Sequence, residues 1–438
     1  MKAREVVLAI LIILAGIFIT EVKTGRLEWR WDVGDFQFAR AEEFIFEETQ
    51  DIAAPLPAEI EIQNAHGTVA VEGAETEAIV IHFKKHVFRK EPEDAKETAE
   101  ALKMIVNRTG DRLVLSTNRE DFRRRPFETD FKVTVPLGTP VIVRNSHGLV
   151  QVCGTGRTDI SNPYGEAVAA DIRGGLVLET RHEDVTIDGI RGDARLTCPS
   201  ADVVAKNIDK ELIVDHSYGR LRLENVVGKL TVNGRNSEVF ARGLGAAAEI
   251  RSSYEPVSVI HARDVTIRGR NNEISIADVT GRCEVTTEYG TVRVDGLIGD
   301  LKVEGRKTGV VGRSLKGESL KVLTSHENVE LLEFSGGAMV NLSHASLVLE
   351  PEDVTGPLNV QGDYADIRLV WPPGGRNPFE AETRQGTIFW GLALPPSSAT
   401  TNGTSITKAF LEETGRPAIV LRTTYGDIRV EESSRRSS

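Results

Sequence analysis

An apolar pattern that returns every 17 to 21 residues, mostly every 18, runs through most of this 438-residue chain. With Gly219 as position zero, Leu212 and Val214 lie seven and five residues before it, Leu221 and Leu223 two and four after, and Val226 and Gly228 seven and nine after. Gly290 carries the same frame with Cys283, Val285, Val292, Val294, Leu297 and Gly299. The frame recurs at Gly148, Gly165, Glu183 and Ala201, at Ser237, Glu255 and Asn272, and from Thr308 through Glu327, Ala345, Ala365 and Gly386 to Gly426, the last after a gap of 40. Each unit holds two short runs of alternating apolar and polar residues, the mark of strands with one buried face. A unit this small cannot close a core alone, so neighbours must stack, each strand pairing with its equivalent one turn on. The pattern therefore predicts an all-β, single-stranded β-helix (β-solenoid) with about 18 residues per coil. About fifteen coils at ~4.8 Å per strand would make a rod about 70 Å long. A β-propeller needs blades of about 40 residues and does not fit the period. Glycines at Gly174, Gly192, Gly228, Gly281 and Gly299 suit corners that demand left-handed backbone angles.

The ends depart from the repeat and divide the chain. Residues 1–22 read as a signal anchor or transmembrane helix, because Val6 to Ile19 carry no charge and follow Lys2 and Arg4. Residues 23–50 read as a juxtamembrane linker, with Trp29 and Trp31 suited to a membrane interface. Residues 51–137 form a strand-helix capping region, in which Pro92 and acidic residues open a helix with Ala95, Ala99, Leu102 and Val106 on one face, placed to cover the first open coil. The solenoid follows at 138–432, interrupted by a loop-rich stretch from "WPPGGRNPF" to "LPPSSATTNGTS", and residues 433–438 are a disordered tail.

The run "FKVTVPLGTPVIVRNSHGLVQVCG", with the strand-helix unit before it, resembles the bacterial putative-adhesin family of β-strand-repeat proteins, a domain of unknown function, over about residues 43–430. The resemblance implies a right-handed β-helix outside the cytoplasm and brings no catalytic residues with it. This chain places Tyr or His where that family usually has Asn, and has a longer C-terminal insertion.

A formal charge of −12 argues against a nucleic-acid surface. Cys153, Cys198 and Cys283 are too scattered for a disulfide framework or a zinc cluster, and the latter two fall at apolar positions. "GLGAAA" at Gly243–Ala248 matches a dinucleotide fingerprint but sits at a repeat corner that runs into a strand. Asp184 and Asp202 occupy equivalent places on neighbouring coils, the minimum for a lyase or hydrolase, although turn carboxylates usually bond their own backbone. His326 and His344, one coil apart with Glu327 alongside, are the minimum for a metal site; neither metal nor cofactor is expected.

All six tyrosines, Tyr164, Tyr218, Tyr254, Tyr289, Tyr364 and Tyr425, precede a corner residue, as do His66, His147, His182, His326 and His344. Parity leaves open whether the column points in or out. Stacked ring on ring it is a scaffold ladder. If it faces solvent, Tyr164, Tyr218, Tyr254, Tyr289, His147 and His182 are the candidate ligand-binding residues; Tyr218, Tyr254 and Tyr289 recur every second coil, about 9.6 Å apart, the length of a disaccharide. A basic set, Lys84, Lys85, Arg123, Arg124 and Arg125, is the candidate contact with anionic lipid. The chain thus reads as a non-enzymatic structural or adhesion protein of the bacterial envelope, single-pass in the cytoplasmic membrane with its bulk periplasmic or extracellular. Its alternatives are a glycan-binding module, a polysaccharide lyase or hydrolase, and an envelope-sensing regulatory partner. Envelope polysaccharide or an envelope protein is the partner expected.

Overall fold

The computed structural model describes residues 42–124, 127–393, 397–401, 406–411 and 415–433. It is an all-β solenoid of about 13 turns at a spacing of about 18 residues, with a single α-helix among the described residues. Leu212 pairs in register with Leu230, and Leu230 with Ala248, while Leu221 pairs with Val239 and Val239 with Val257. Each coil therefore lays down two parallel strands, and the apolar positions of the two resulting sheets face each other. Leu212, Val214, Leu221, Leu223 and Val226 are fully or almost fully buried, as are their equivalents in the coils above and below. One contiguous core runs from Ile60 to Val430.

Two corners join the sheets. After the second strand of each coil, one residue takes a left-handed angle, in turn Asp171, Gly189, Asn207, Asn225, Gly243, His261, Asp278, Gly296, Ser314 and Glu333. That twist returns the next residue, Ile190, Ile208 or Val226, to the core. Asp, Asn and Gly dominate the column because left-handed angles are cheapest for them, and Asn225 Nδ2 donates to Asn207 Oδ1 at 3.0 Å. Gly299 carries the expected positive angle, φ 150°, but the other four glycines expected to serve this role do something else. Gly174, Gly192, Gly228 and Gly281 have no left-handed angle. They stand where successive turns touch backbone to backbone: a Cβ on Gly317 would lie 2.0 Å from the carbonyl oxygen of Gly299, and one on Gly299 2.1 Å from that of Gly281.

At both ends, order in space differs from order in sequence. Near the N-terminus, the rung of Glu59–Gln63 and Val69–Ala74 lies between the rung at 141–153 and one formed by Arg112–Thr117 and Phe127–Pro136. At the other end, Ile419–Tyr425 and Ile428–Glu432 insert between Leu358–Trp371 and the rung of Phe379–Gln385 and Ile388–Gly391. The gap of 40 is this return. Two rungs are thus added at each end, and the solenoid begins before residue 138. Antiparallel strands then close the stack: Met104–Thr109 on Arg112–Thr117, Glu42–Ile52 on Ile79–Arg89, and Ile406–Leu411 on Phe379–Gln385.

The N-terminal expectations need two corrections. Residues 42–50, assigned to a linker, belong to the strand Glu42–Ile52. The helix spans Pro92–Ala101 and buries Ala95 and Ala99, with Leu102 just beyond, but Val106 belongs to the strand Met104–Thr109. Ala95, Ala99 and Leu102 pack with Val87 and Phe127, on the same strand faces that carry Ile81, Phe83 and Phe131 into the main core, so the helix continues the core side of the antiparallel cap, whose added strands close the edge beside it. The anchor at residues 1–22 lies outside the described residues, as do 23–41 and 434–438; no described helix is long and apolar enough to cross a membrane.

Within the cap, His86 stands between two carboxylates, Nδ1 at 2.6 Å from Glu43 Oε1 and Nε2 at 3.0 Å from Asp130 Oδ2, linking three strands. Partial burial opposes its charge, but Glu43 and Asp130 together outweigh burial and raise the imidazole above its ordinary 6.5. A raised folded pKa stabilises most below the unfolded value and loses that stability as pH climbs through the folded one. The melting temperature of the parent chain relative to His86→Gln is therefore expected to be highest below about pH 6.5 and to fall as pH rises beyond it. A pH-independent difference would show that His86 acts through neutral hydrogen bonds.

Candidate functional site

The first corner, between the two strands of each coil, has two alternating forms in the middle of the rod. Its successive tetrads are His216–Gly219, Gly234–Ser237, Ser252–Glu255, Gly269–Asn272, Thr287–Gly290 and Gly305–Thr308. In the first, third and fifth, the opening side chain, His216, Ser252 or Thr287, turns inward and is buried. In the others that place is glycine, and the closing residue, Ser237, Asn272 or Thr308, is buried instead. The exchange is steric: a Cβ on Gly269 would meet Asn272 Oδ1 at 2.4 Å, and one on Gly305 would meet Thr308 Cβ at 2.6 Å. The buried polar groups reach between turns, with Ser252 Oγ donating to Ser237 O at 2.9 Å and Asn272 Nδ2 to Glu255 O at 2.6 Å. His216 takes 2.8 Å from Ser237 Oγ on Nδ1 and gives 2.7 Å to Ala201 O from Nε2. Burial holds its pKa low against that carbonyl, which keeps it in the neutral form the pattern requires.

The two interior residues of these tetrads face out. One column reads Tyr218, Asn236, Tyr254, Asn271, Tyr289 and Lys307; beside it runs Ser217, Arg235, Ser253, Arg270, Glu288 and Arg306, with Ser253, Arg270, Glu288 and Arg306 in register. Parity had left the direction of the tyrosines open. Tyr218 is 57% exposed and Tyr254 56%. Tyr254 and Tyr289 carry left-handed angles, so the turn has begun and they are carried away from the core.

The column is a ladder at its two ends and a spaced row in its middle. His66, His147, Tyr164 and His182 stack at ring separations of 4.4, 5.0 and 5.6 Å. His326, His344, Tyr364 and Tyr425 stack at 5.1, 4.9 and 4.3 Å. Such pairs contribute about 0.5–1.5 kcal/mol each. Of the candidate binding residues, His147 and Tyr164 thus have both faces covered by other rings, and His182 has one. Tyr218 and Tyr254 have Ser, Asn or Arg on neighbouring turns, and Tyr289 lies between Arg270 and Lys307, whose cationic heads are 6.0 and 5.5 Å from its ring.

Other candidates resolve into scaffold roles. Asp202 caps the next coil, accepting from Arg220 N at 2.9 Å, and the Arg220 guanidinium also holds its carboxyl below the ordinary range. Asp264 caps Arg282 N likewise, at 2.9 Å. The rings of His326 and His344 lie within 7° of parallel, so their in-plane lone pairs do not converge on one ion; among the described residues no cluster of His, Cys, Asp and Glu could hold a metal. "GLGAAA" continues as the strand Ser237–Ser253 and opens no helix. Burial pushes the thiols of Cys198 and Cys283 up to about 12, as fits packed core residues, while Cys153 is exposed.

The basic set divides. Lys85 does not belong to a surface: it is 2% exposed, bound to Glu48 and donating to Ala99 O at 2.8 Å, because its position on Ile79–Arg89 faces the helix. Lys84 pairs with Glu47 at 2.9 Å, Arg123 and Arg124 are exposed, and Arg125 lies outside the described residues.

What sequence reading missed is the arginine column. Its signal was present as "GRNS", "GRNN" and "GRKT", alternating with the tyrosine tetrads at twice the basic period. A search for one period averages the two forms together.

Fold and surface together define a parallel β-solenoid bearing an outward ring-and-arginine row on one corner. No family model matches the chain, and no curated protein matches it. Among solved structures it is similar to a "putative cell adhesion protein" of Clostridium sporogenes (7% identity, TM-score 0.15, covering 89% of this chain and 100% of that one). It is also similar to a "putative adhesin" of Parabacteroides distasonis (10%, 0.19, 89% and 97%) and one of Bacteroides fragilis (11%, 0.16, 89% and 97%). These bacterial proteins bear the description of the family that the sequence resembles. At such TM-scores the likenesses carry no weight for function, which rests on this chain's own surface.

Proposed function

We propose that this chain is a non-enzymatic adhesion or structural protein of the bacterial envelope that holds its ligand along the central ring row. Residues 1–22 anchor it, and the rod stands outside the cytoplasm, wound right-handed as parallel crossovers generally are. The observation that carries this reading is the line of Tyr218, Tyr254 and Tyr289. They are presented at intervals of two coils, about 9.6 Å, and no aromatic neighbour takes up their faces. Aromatic side chains at that interval, Tyr218 and Tyr254 exposed and Tyr289 half-buried between two cations, suit the flat apolar faces of an extended sugar chain. Rod and row are rigid together, so little ordering is lost on binding. Arg123 and Arg124, both exposed, are the described members of the basic set that would meet anionic lipid.

The test uses the full chain in detergent and purified peptidoglycan sacculi as the probe. Combined replacement of Tyr218, Tyr254 and Tyr289 by alanine is expected to reduce sacculus binding about tenfold or more with little change in melting. Replacing His344 and Tyr364 should lower the melting point and leave binding intact. Binding that survives the triple replacement, or a parent chain that does not bind, overturns the reading.

A further inference from the structure

The arginines interleaved with the tyrosines specify the ligand more narrowly. We infer that the row binds an extended, β-1,4-type polysaccharide carrying one carboxylate per disaccharide, with the sugar faces on Tyr218, Tyr254 and Tyr289 and the carboxylates on Arg235, Arg270 and Arg306. This rests on the reading of the ring row as the adhesive surface and adds its chemistry.

Arg235, Arg270 and Arg306 occur on the coils that lack a tyrosine, so they too repeat every second coil, about 9.6 Å apart. All three are exposed. Arg270 touches both features, with its guanidinium 6.0 Å from the Tyr289 ring centroid. Arg235 and Arg306 make no ion pair among the described residues, so no carboxylate of the chain occupies their guanidinium groups, unlike Arg220 with Asp202 or Arg368 with Glu431. In a chain of net charge −12, a regular line of cations along one edge is a local reversal of sign. The opposite edge of the row carries Glu238, Glu255 and Glu273, all exposed, beside Arg220, whose guanidinium is engaged by Asp202.

An extended chain with a twofold screw turns every second sugar the same way. A substituent present once per disaccharide therefore returns to the same side at each repeat. Laid on the tyrosines, such a polymer presents every carboxylate to the arginine edge and none to the glutamate edge, whose oxygens are left to accept from sugar hydroxyls. Reversal of the chain about its axis would place like charges together, so the two edges also fix its orientation. Guanidinium is suited to the task because its planar fork matches a carboxylate. Glu288 lies in the arginine column and reaches Arg270 at 3.6 Å, so it competes with the ligand at that step.

Two sources supply this chemistry: peptidoglycan glycan strands freed of their stem peptides, which leaves a lactyl carboxylate on alternate sugars, and polymers that alternate a uronate with a hexosamine. The experiment measures full-length chain binding to peptide-free peptidoglycan strands, to an alternating uronate polymer and to neutral chitohexaose, each at low and high salt. Replacing Arg235, Arg270 and Arg306 by glutamine together is expected to weaken the acidic probes about tenfold or more, to flatten their salt dependence, and to leave chitohexaose unchanged. Lysine in all three places should restore part of the salt dependence, and Glu288→Gln should tighten acidic binding. Preference for one acidic polymer identifies the source. If the glutamine variant holds the acidic probes as tightly as the parent while the tyrosine variant has lost them, the carboxylate inference is wrong and the row binds by ring faces alone. Equal parent affinity for chitohexaose and the acidic probes overturns it too. Retention of every probe by the tyrosine variant removes the ring row itself as the binding surface.

Discussion

Gly317→Ala is expected to break the rod in the middle. The added methyl would lie 2.0 Å from the carbonyl oxygen of Gly299 on the preceding turn, and Gly317 itself has no left-handed angle, so the penalty is contact alone. The obstructing atom is backbone, on a glycine whose N–H donates to Lys316 O at 2.9 Å, and cannot rotate away as a side chain would. A loss of about 3 kcal/mol or more is expected, at the upper end for an overpacked site. Because a solenoid is stabilised turn by turn through neighbouring interfaces, a defect between the coils at 301–315 and 320–334 should divide one unfolding transition into two. Gly309→Ala is the matched control: its nearest atom would be 3.7 Å away, and it should be neutral or stabilising by about 0.4–1 kcal/mol. Urea unfolding followed by circular dichroism separates the pair; equal behaviour would refute the close-approach account of the glycine column.

A chain ending at Pro417 is expected to fail more severely than loss of a final coil would suggest. Residues 419–432 form the rung between Leu358–Trp371 and the rung of Phe379–Gln385 and Ile388–Gly391. Ile419, Leu421, Ile428 and Val430 are fully buried. Their removal forfeits on the order of 6 kcal/mol of apolar burial and opens two strand edges in place of one, each a template for association. The truncated chain should bind a hydrophobic dye, aggregate at concentrations where the parent remains monodisperse, and exchange the amides of Leu358–Trp371 rapidly. Slow exchange there would mean that the neighbouring rungs can close directly on one another.

Much of the rod was legible because its signal is local and repeated. Leu212, Val214, Leu221 and Leu223 alternate within a few residues, and the same frame returned coil after coil, so strands, stacking and the pairing of Leu212 with Leu230 followed from pattern alone. Val106 was misplaced because a helical period and a strand period agree over so short a run. Lys85 was misplaced because alternation along Ile79–Arg89 assigns it a face but not what covers that face, and the helix supplies a carbonyl and a lid. The tyrosines' direction depended on where the turn begins, a difference of one residue that composition does not encode.

By itself, the sequence determined the coil length, the buried faces and the ring column, because each is fixed by spacing along the chain and by the need of small units to stack. Only the tertiary structure decided which glycines are required by backbone contact, where the terminal rungs insert, and that Arg235, Arg270 and Arg306 share an edge with Tyr218, Tyr254 and Tyr289. Those relations join residues a turn or more apart, and they exist only once the coils are laid on one another and steric exclusion selects which side chain at each corner turns inward.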